Sequence, residues 1–82
     1  MKNPLLEKTI LNNLNNVDYG MMQKTLQSAV EIDLDSYDIT TGEFMTCLKA
    51  LEDRALVNQW TSLLGYTYWG ITDMGRDALK GL

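Results

Sequence analysis

Residues 56–71 read Leu56-Val57-Asn58-Gln59-Trp60-Thr61-Ser62-Leu63-Leu64-Gly65-Tyr66-Thr67-Tyr68-Trp69-Gly70-Ile71, and the fold turns on how this stretch is read. Its β-branched and aromatic content and its period of two predict strands at 56–61 and 66–71 around a Ser62-Leu63-Leu64-Gly65 turn. With Thr61 opposite Tyr66, Leu56, Trp60, Trp69 and Ile71 share one face, and Val57, Gln59, Tyr66 and Tyr68 share the other. The first set is the more apolar, so it is expected to face the core with both tryptophans inside. A two-stranded ribbon is not stable alone in water and needs helices beneath it.

The flanking sequence supplies those helices. Thr40-Thr41-Gly42-Glu43 is a capping box, in which the hydroxyl takes a backbone N–H and the Glu43 carboxylate reaches back, with Ile39 and Phe44 placed as a hydrophobic staple. It opens a third helix whose buried stripe is expected to be Phe44, Leu48, Leu51 and Ala55. Glu43, Thr46, Cys47, Lys49, Ala50, Asp53 and Arg54 are left on its outer face. Downstream, Thr72 caps a last helix that turns Ala78, Leu79 and Leu82 inward. Upstream, Asn3-Pro4 starts a first helix with Leu6, Ile10, Leu14 and Val17 on one face, its Asn-rich end prone to fraying. Asp18 is placed as the cap of a second helix carrying Met21, Met22, Leu26, Ala29 and Val30. Glu31 to Asp38 is too acidic and turn-prone to extend that helix far, and reads as a loop holding Ile32 and Leu34 inward.

The expected fold is therefore mainly α with a small β-hairpin: a three-helix base, a two-stranded wing and a C-terminal helix, in one domain spanning residues 1–82. A chain of this length has a thin core, which favours pairing with another copy or a partner. An apolar fraction of 45% with 22% charged residues excludes a disordered tail. Cys47 has no second cysteine to pair with, no window reads as a membrane span and the N-terminus does not read as a signal peptide, so a soluble cytoplasmic protein is expected.

The stretch 48–57, Leu-Lys-Ala-Leu-Glu-Asp-Arg-Ala-Leu-Val, and the stretch 65–79, ending Ile71-Thr72-Asp73-Met74-Gly75-Arg76-Asp77-Ala78-Leu79, resemble winged helix-turn-helix regulators, including MarR-like and PadR-like ones. Many of these end a leucine-rich third helix in a Leu-Val strand and close the wing with Ile-Thr-x-x-Gly-Arg-x-x-Leu. The resemblance covers nearly the whole chain at the level of the superfamily. It implies a DNA-binding transcriptional regulator, dimeric, with helix 3 in a major groove and the wing tip on backbone or minor groove. Carried over by position, the DNA-contacting candidates are Thr41, Thr46, Lys49, Ala50 and Arg54 on helix 3, beside Glu43 and Cys47, with Thr61 and Ser62 on the wing. Two positions depart from the pattern: Ala55 stands where a glycine usually precedes Leu-Val, and the wing tip carries no Arg or Lys.

The charge map supports a second reading. Net charge is −4, and Glu31, Asp33, Asp35, Asp38 and Glu43 form a run without a base, a field that repels phosphate. Leu63, Leu64, Tyr66 and Tyr68 on the hairpin, with the acidic loop, then make the contact surface of a protein-interaction module. Asp33, Asp35 and Asp38 lack the glycine and terminal glutamate of a calcium loop, so no metal is expected there. With no histidine to activate Cys47 and no phosphate-cradling glycine loop, neither catalysis nor a cofactor is implied.

Overall fold

A computed structural model describes residues 3–35 and 39–81. Four helices and three strands follow one another as α1 (Pro4–Asn15), β1 (Met21–Met22), α2 (Gln23–Asp33), α3 (Thr41–Asp53), β2 (Val57–Thr61), β3 (Thr67–Ile71) and α4 (Asp73–Lys80). The helix starts follow from local chemistry. Asn3 Oδ1 accepts the Leu6 N–H at 3.1 Å, with Pro4 opening the first turn. Thr40 Oγ1 accepts the Glu43 N–H at 3.0 Å and donates to the Glu43 carboxylate at 3.2 Å. Thr72 Oγ1 accepts the Gly75 N–H at 3.0 Å. Each cap satisfies a backbone donor that the first helical turn leaves open.

The sheet is antiparallel and three-stranded, in the order β1-β3-β2, rather than a simple hairpin. Met21 pairs with Trp69 and Met22 with Tyr68, so both methionines are strand residues and α2 begins at Gln23 without a side-chain cap, not at Asp18. Two further expectations fail upstream. Val17 lies beyond the end of α1 and is exposed, while Leu11 takes a place in the core; Ile32 points to solvent although Leu34 does turn inward.

Between β2 and β3 the register pairs Thr61 with Thr67, one residue away from the Thr61–Tyr66 expectation. Ser62 is already part of the ladder, its N–H donating to the Tyr66 carbonyl at 2.8 Å, which leaves Leu63-Leu64-Gly65 as a three-residue loop. Such loops close on a left-handed residue, and Gly65 supplies it at φ +86. A slip of one residue reverses the faces of a strand against its partner. Val57 therefore packs inward with Trp69, while Trp60 leaves the core and lies 41% exposed on the outer face.

The core is Leu6, Ile10, Leu11 and Leu14 of α1, Leu26 and Val30 of α2, Leu34, Phe44, Leu48 and Leu51 of α3, then Leu56, Val57 and Trp69. Helix α1 is its axis, touching α2, α3, α4 and β3. Ala55 is not part of the α3 stripe. It is exposed and adopts φ +61, the left-handed position that ends the helix. The Leu56 N–H bonds the Leu51 carbonyl at 3.0 Å and the Ala55 N–H bonds that of Glu52 at 2.9 Å, a Schellman closure. Ala78 and Leu79 of α4 pack against the core; Leu82 and the Ser36, Tyr37 and Asp38 part of the acidic run lie outside the described residues. No helix among the described residues is long and apolar enough to cross a membrane.

Candidate nucleic-acid interface

Helix α3 presents Gly42, Thr46, Lys49 and Asp53 to solvent, because the opposite side of the helix carries its three core residues. The expected helix 3 residues do not converge on one patch. Thr46 and Ala50 line, with Gly42, Glu43 and Cys47, a groove of about 730 Å³ whose other wall is Asn3, Leu6 and Glu7 at the start of α1. Thr41 is turned toward α2, its hydroxyl oxygen accepting from Gln27 Nε2 at 3.1 Å.

The two cations differ in how firmly they are held. Lys49 pairs with Glu52 at 3.2 Å, one helical turn away, the lysine exposed and the glutamate partly so. A surface pair of this kind is worth roughly 0.3–0.5 kcal/mol, so the ammonium can exchange its partner for a phosphate. Arg54 pairs with Glu7 at 2.7 Å, and Glu7 is among the buried residues of α1. Withdrawing the guanidinium would strand a buried carboxylate, which costs far more than an exposed pair returns. Arg54 is thus a brace between α3 and α1, and Lys49 is the cation of α3 that a ligand can recruit.

Cys47 sits half-buried on the groove wall. Burial pushes its thiol up from an ordinary value of 9.0 to about 11, the Glu7 carboxylate adds to this, and Arg54 opposes it. The thiol is therefore protonated at neutral pH and a poor nucleophile. Among the described residues no group of three or more His, Cys, Asp or Glu side chains could hold a metal ion.

On the wing, Ser62 is engaged in its own turn, with Oγ accepting the Tyr66 N–H at 3.2 Å; Thr61 is exposed at the end of β2. Leu63 and Leu64 form the tip, Leu64 at 83% exposure and Leu63 open to solvent throughout, and Tyr66 is half-exposed behind them. From Ala55 to Thr72 the chain carries no charged side chain. Trp60 stacks on Tyr68 with ring centroids 6.1 Å apart and spreads over Gly70 and Gly20, where a Cβ at either glycine would strike the indole. This outer platform, with Met22 beside Tyr68, was missed in the sequence. The available signal was Gly70 inside a strand, since such a glycine often marks a close approach.

Two solved structures share this architecture. A transcriptional regulator from Clostridium thermocellum superposes with a TM-score of 0.82 at 19% identity, over 95% of this chain and 76% of that one. A PadR family transcription regulator from Clostridium difficile gives 0.73 at 19% identity, over 92% and 79%. No protein-family model matches the chain, and a search of curated proteins finds no match. At that identity the likeness carries the fold: the chain is a winged helix, with α2 and α3 as the helix-turn-helix and β2–β3 as the wing.

Proposed function

We propose that this chain is a winged-helix transcriptional regulator domain that acts in the cytoplasm and engages duplex DNA through the outer face of α3. One observation carries the reading: the fold, matched over nearly the whole chain by a transcriptional regulator, leaves Thr46 and Lys49 uncovered on α3. Lys49 is the phosphate contact in this reading, because its partner Glu52 is replaceable by a ligand anion. Thr46 and Ala50 are its neighbours for contact with base edges, and Arg54 contributes by holding α3 against α1.

With one exchangeable cation on α3 and none on the wing, each domain neutralises few phosphates. Binding should be weak per copy, and the salt slope shallow at about −0.9 per phosphate contacted. Fluorescence anisotropy with random duplex across a salt series tests this. Lys49→Ala should flatten the slope by about one unit, and Lys49→Glu should abolish binding at low salt. Unchanged affinity in Lys49→Glu removes α3 as the reader.

A second reading is favoured by the wing. Leu63, Leu64 and Tyr66 protrude in a segment without charge, the composition of a protein contact rather than a phosphate contact. In this reading the chain is a protein-interaction module and the wing, with Tyr68 beside it, is its contact surface. Leu63→Lys with Leu64→Lys should then disturb protein association and leave duplex affinity level or improved, since neither side chain packs on the core.

A further inference from the structure

The groove between the start of α1 and α3 has the size and character of a small-ligand site. Its volume of about 730 Å³ falls within the span that ligand pockets occupy, roughly 300–1,000 Å³. Leu6, Cys47 and Ala50 give it an apolar wall, and its charged residues are Glu7 and Glu43. Among the described residues no lysine or arginine lines it, and Glu7 is the one charged residue that is buried. The contact with Arg54 does not use Glu7 up. Arg54 bonds Glu7 Oε1 without being part of the groove wall, and a carboxylate offers about four acceptor positions. The Cys47 thiol reports the sign of the field on this wall. After burial itself, the Glu7 carboxylate is the larger influence, holding the proton on, and Arg54 is the smaller, opposing it. Both walls are also helix starts, which alone attract anions. Here Asn3 and Thr40 already accept the Leu6 and Glu43 N–H groups, and an incoming anion meets two carboxylates.

We propose that this groove binds a small organic amine, its ammonium held by Glu7 and Glu43 and its apolar body laid against Leu6, Cys47 and Ala50. The apolar wall by itself accepts any small hydrophobe; the carboxylates select the cation. An ammonium has three N–H donors to share between two carboxylates, whereas an alcohol has one donor and an ionised acid has none. Hydrogen bonds between charged partners are also roughly twice as strong as neutral ones. Occupancy has a consequence for α3. An amine in the groove covers Thr46 and Ala50, which line it, and so excludes duplex DNA from the proposed reading face. That consequence rests on the DNA-binding reading of α3; the amine site does not.

Phenethylamine probes the groove at neutral pH, with phenethyl alcohol and phenylacetate as its neutral and anionic counterparts. Each is titrated into the whole chain without duplex, at constant ionic strength, and followed by backbone amide shifts. The amine should give saturating shifts at Thr46, Cys47 and Ala50 while Leu63 at the wing tip stays still. The alcohol and the acid should bind at least about tenfold more weakly, because the charge-assisted bonds are lost. Glu43→Gln retains a side chain suited to the helix start and should weaken the amine by about tenfold, and Glu7→Gln should do the same. An amine that does not saturate overturns the proposal, as does an alcohol of equal affinity or an affinity indifferent to both substitutions. Duplex competition reads the consequence separately: the amine should displace duplex from α3 and phenylacetate should not. Duplex retained at full amine occupancy overturns the exclusion of DNA. A chain that never binds duplex removes the reading of α3, while the titration without duplex still decides the amine site.

Discussion

Gly75 sits in the first turn of α4 directly against the Leu56 carbonyl, and a Cβ at this position would overlap that oxygen and the Ile71 side chain. The backbone there cannot yield, since Leu56 is tied by its carbonyl to the Thr72 N–H at 3.1 Å and Thr72 Oγ1 donates to the Ala55 carbonyl at 2.6 Å. Gly75→Ala should therefore cost about 2–4 kcal/mol and lower the melting temperature by roughly 10 °C or more in a circular-dichroism melt. An unchanged melt would mean that α4 does not lean on this junction. Ala55 is the opposite case. It holds a left-handed conformation with a Cβ that glycine would not carry. Ala55→Gly should stabilise by about 0.5–1 kcal/mol once the greater freedom of the unfolded glycine is subtracted. Cys47 sets a pH dependence. Its folded value is raised, so between pH 9 and about 11 the unfolded chain releases the thiol proton that the folded chain retains. Stability should fall as pH rises through that window, and the fall should be smaller in Cys47→Ala.

Among the elements, the starts of α1, α3 and α4 were legible because a cap is a contract between residues three apart, whereas the start of α2, which has no side-chain cap, was not. Asn3 with Leu6 (and Pro4 between them), Thr40 with Glu43, and Thr72 with Gly75 all declare themselves locally. Strand β1 was not legible. Met21 and Met22 suit a helical stripe as well as a strand, and what decides between them is β3, distant in sequence. The wing register was lost by one residue for a related reason. Whether Ser62 belongs to the loop or the ladder depends on the loop length that Gly65 permits, and that choice moved Trp60 from the expected core to the outer platform. The sequence also could not rank Lys49 and Arg54, because the partner that immobilises Arg54 is Glu7 on another helix. This ranking is testable through stability. Arg54→Ala should lower stability by about 1–3 kcal/mol by leaving the Glu7 carboxylate unpaired, whereas Lys49→Ala should change it by less than about 0.5 kcal/mol. Equal effects would mean that Arg54 is not a brace.

For the whole molecule, the distribution of charge matters more than the fold in deciding what it touches. A winged helix ordinarily offers a helix and a wing to the duplex together. Here the wing is neutral and apolar, and the acids of α3, Glu43, Glu52 and Asp53, outnumber Lys49. The charge deficit was visible in the sequence, and with Lys49 exposed on α3 and Leu63 and Leu64 exposed at the wing tip it supports the proposed division of labour, α3 for nucleic acid and the wing for protein. Backbone amide shifts recorded while a short duplex is added at low salt test that division most directly. The account predicts shifts that saturate at Thr46, Lys49, Ala50 and Asp53, with Leu63 and Leu64 at the wing tip unmoved. Saturating shifts at the tip with α3 silent would contradict it.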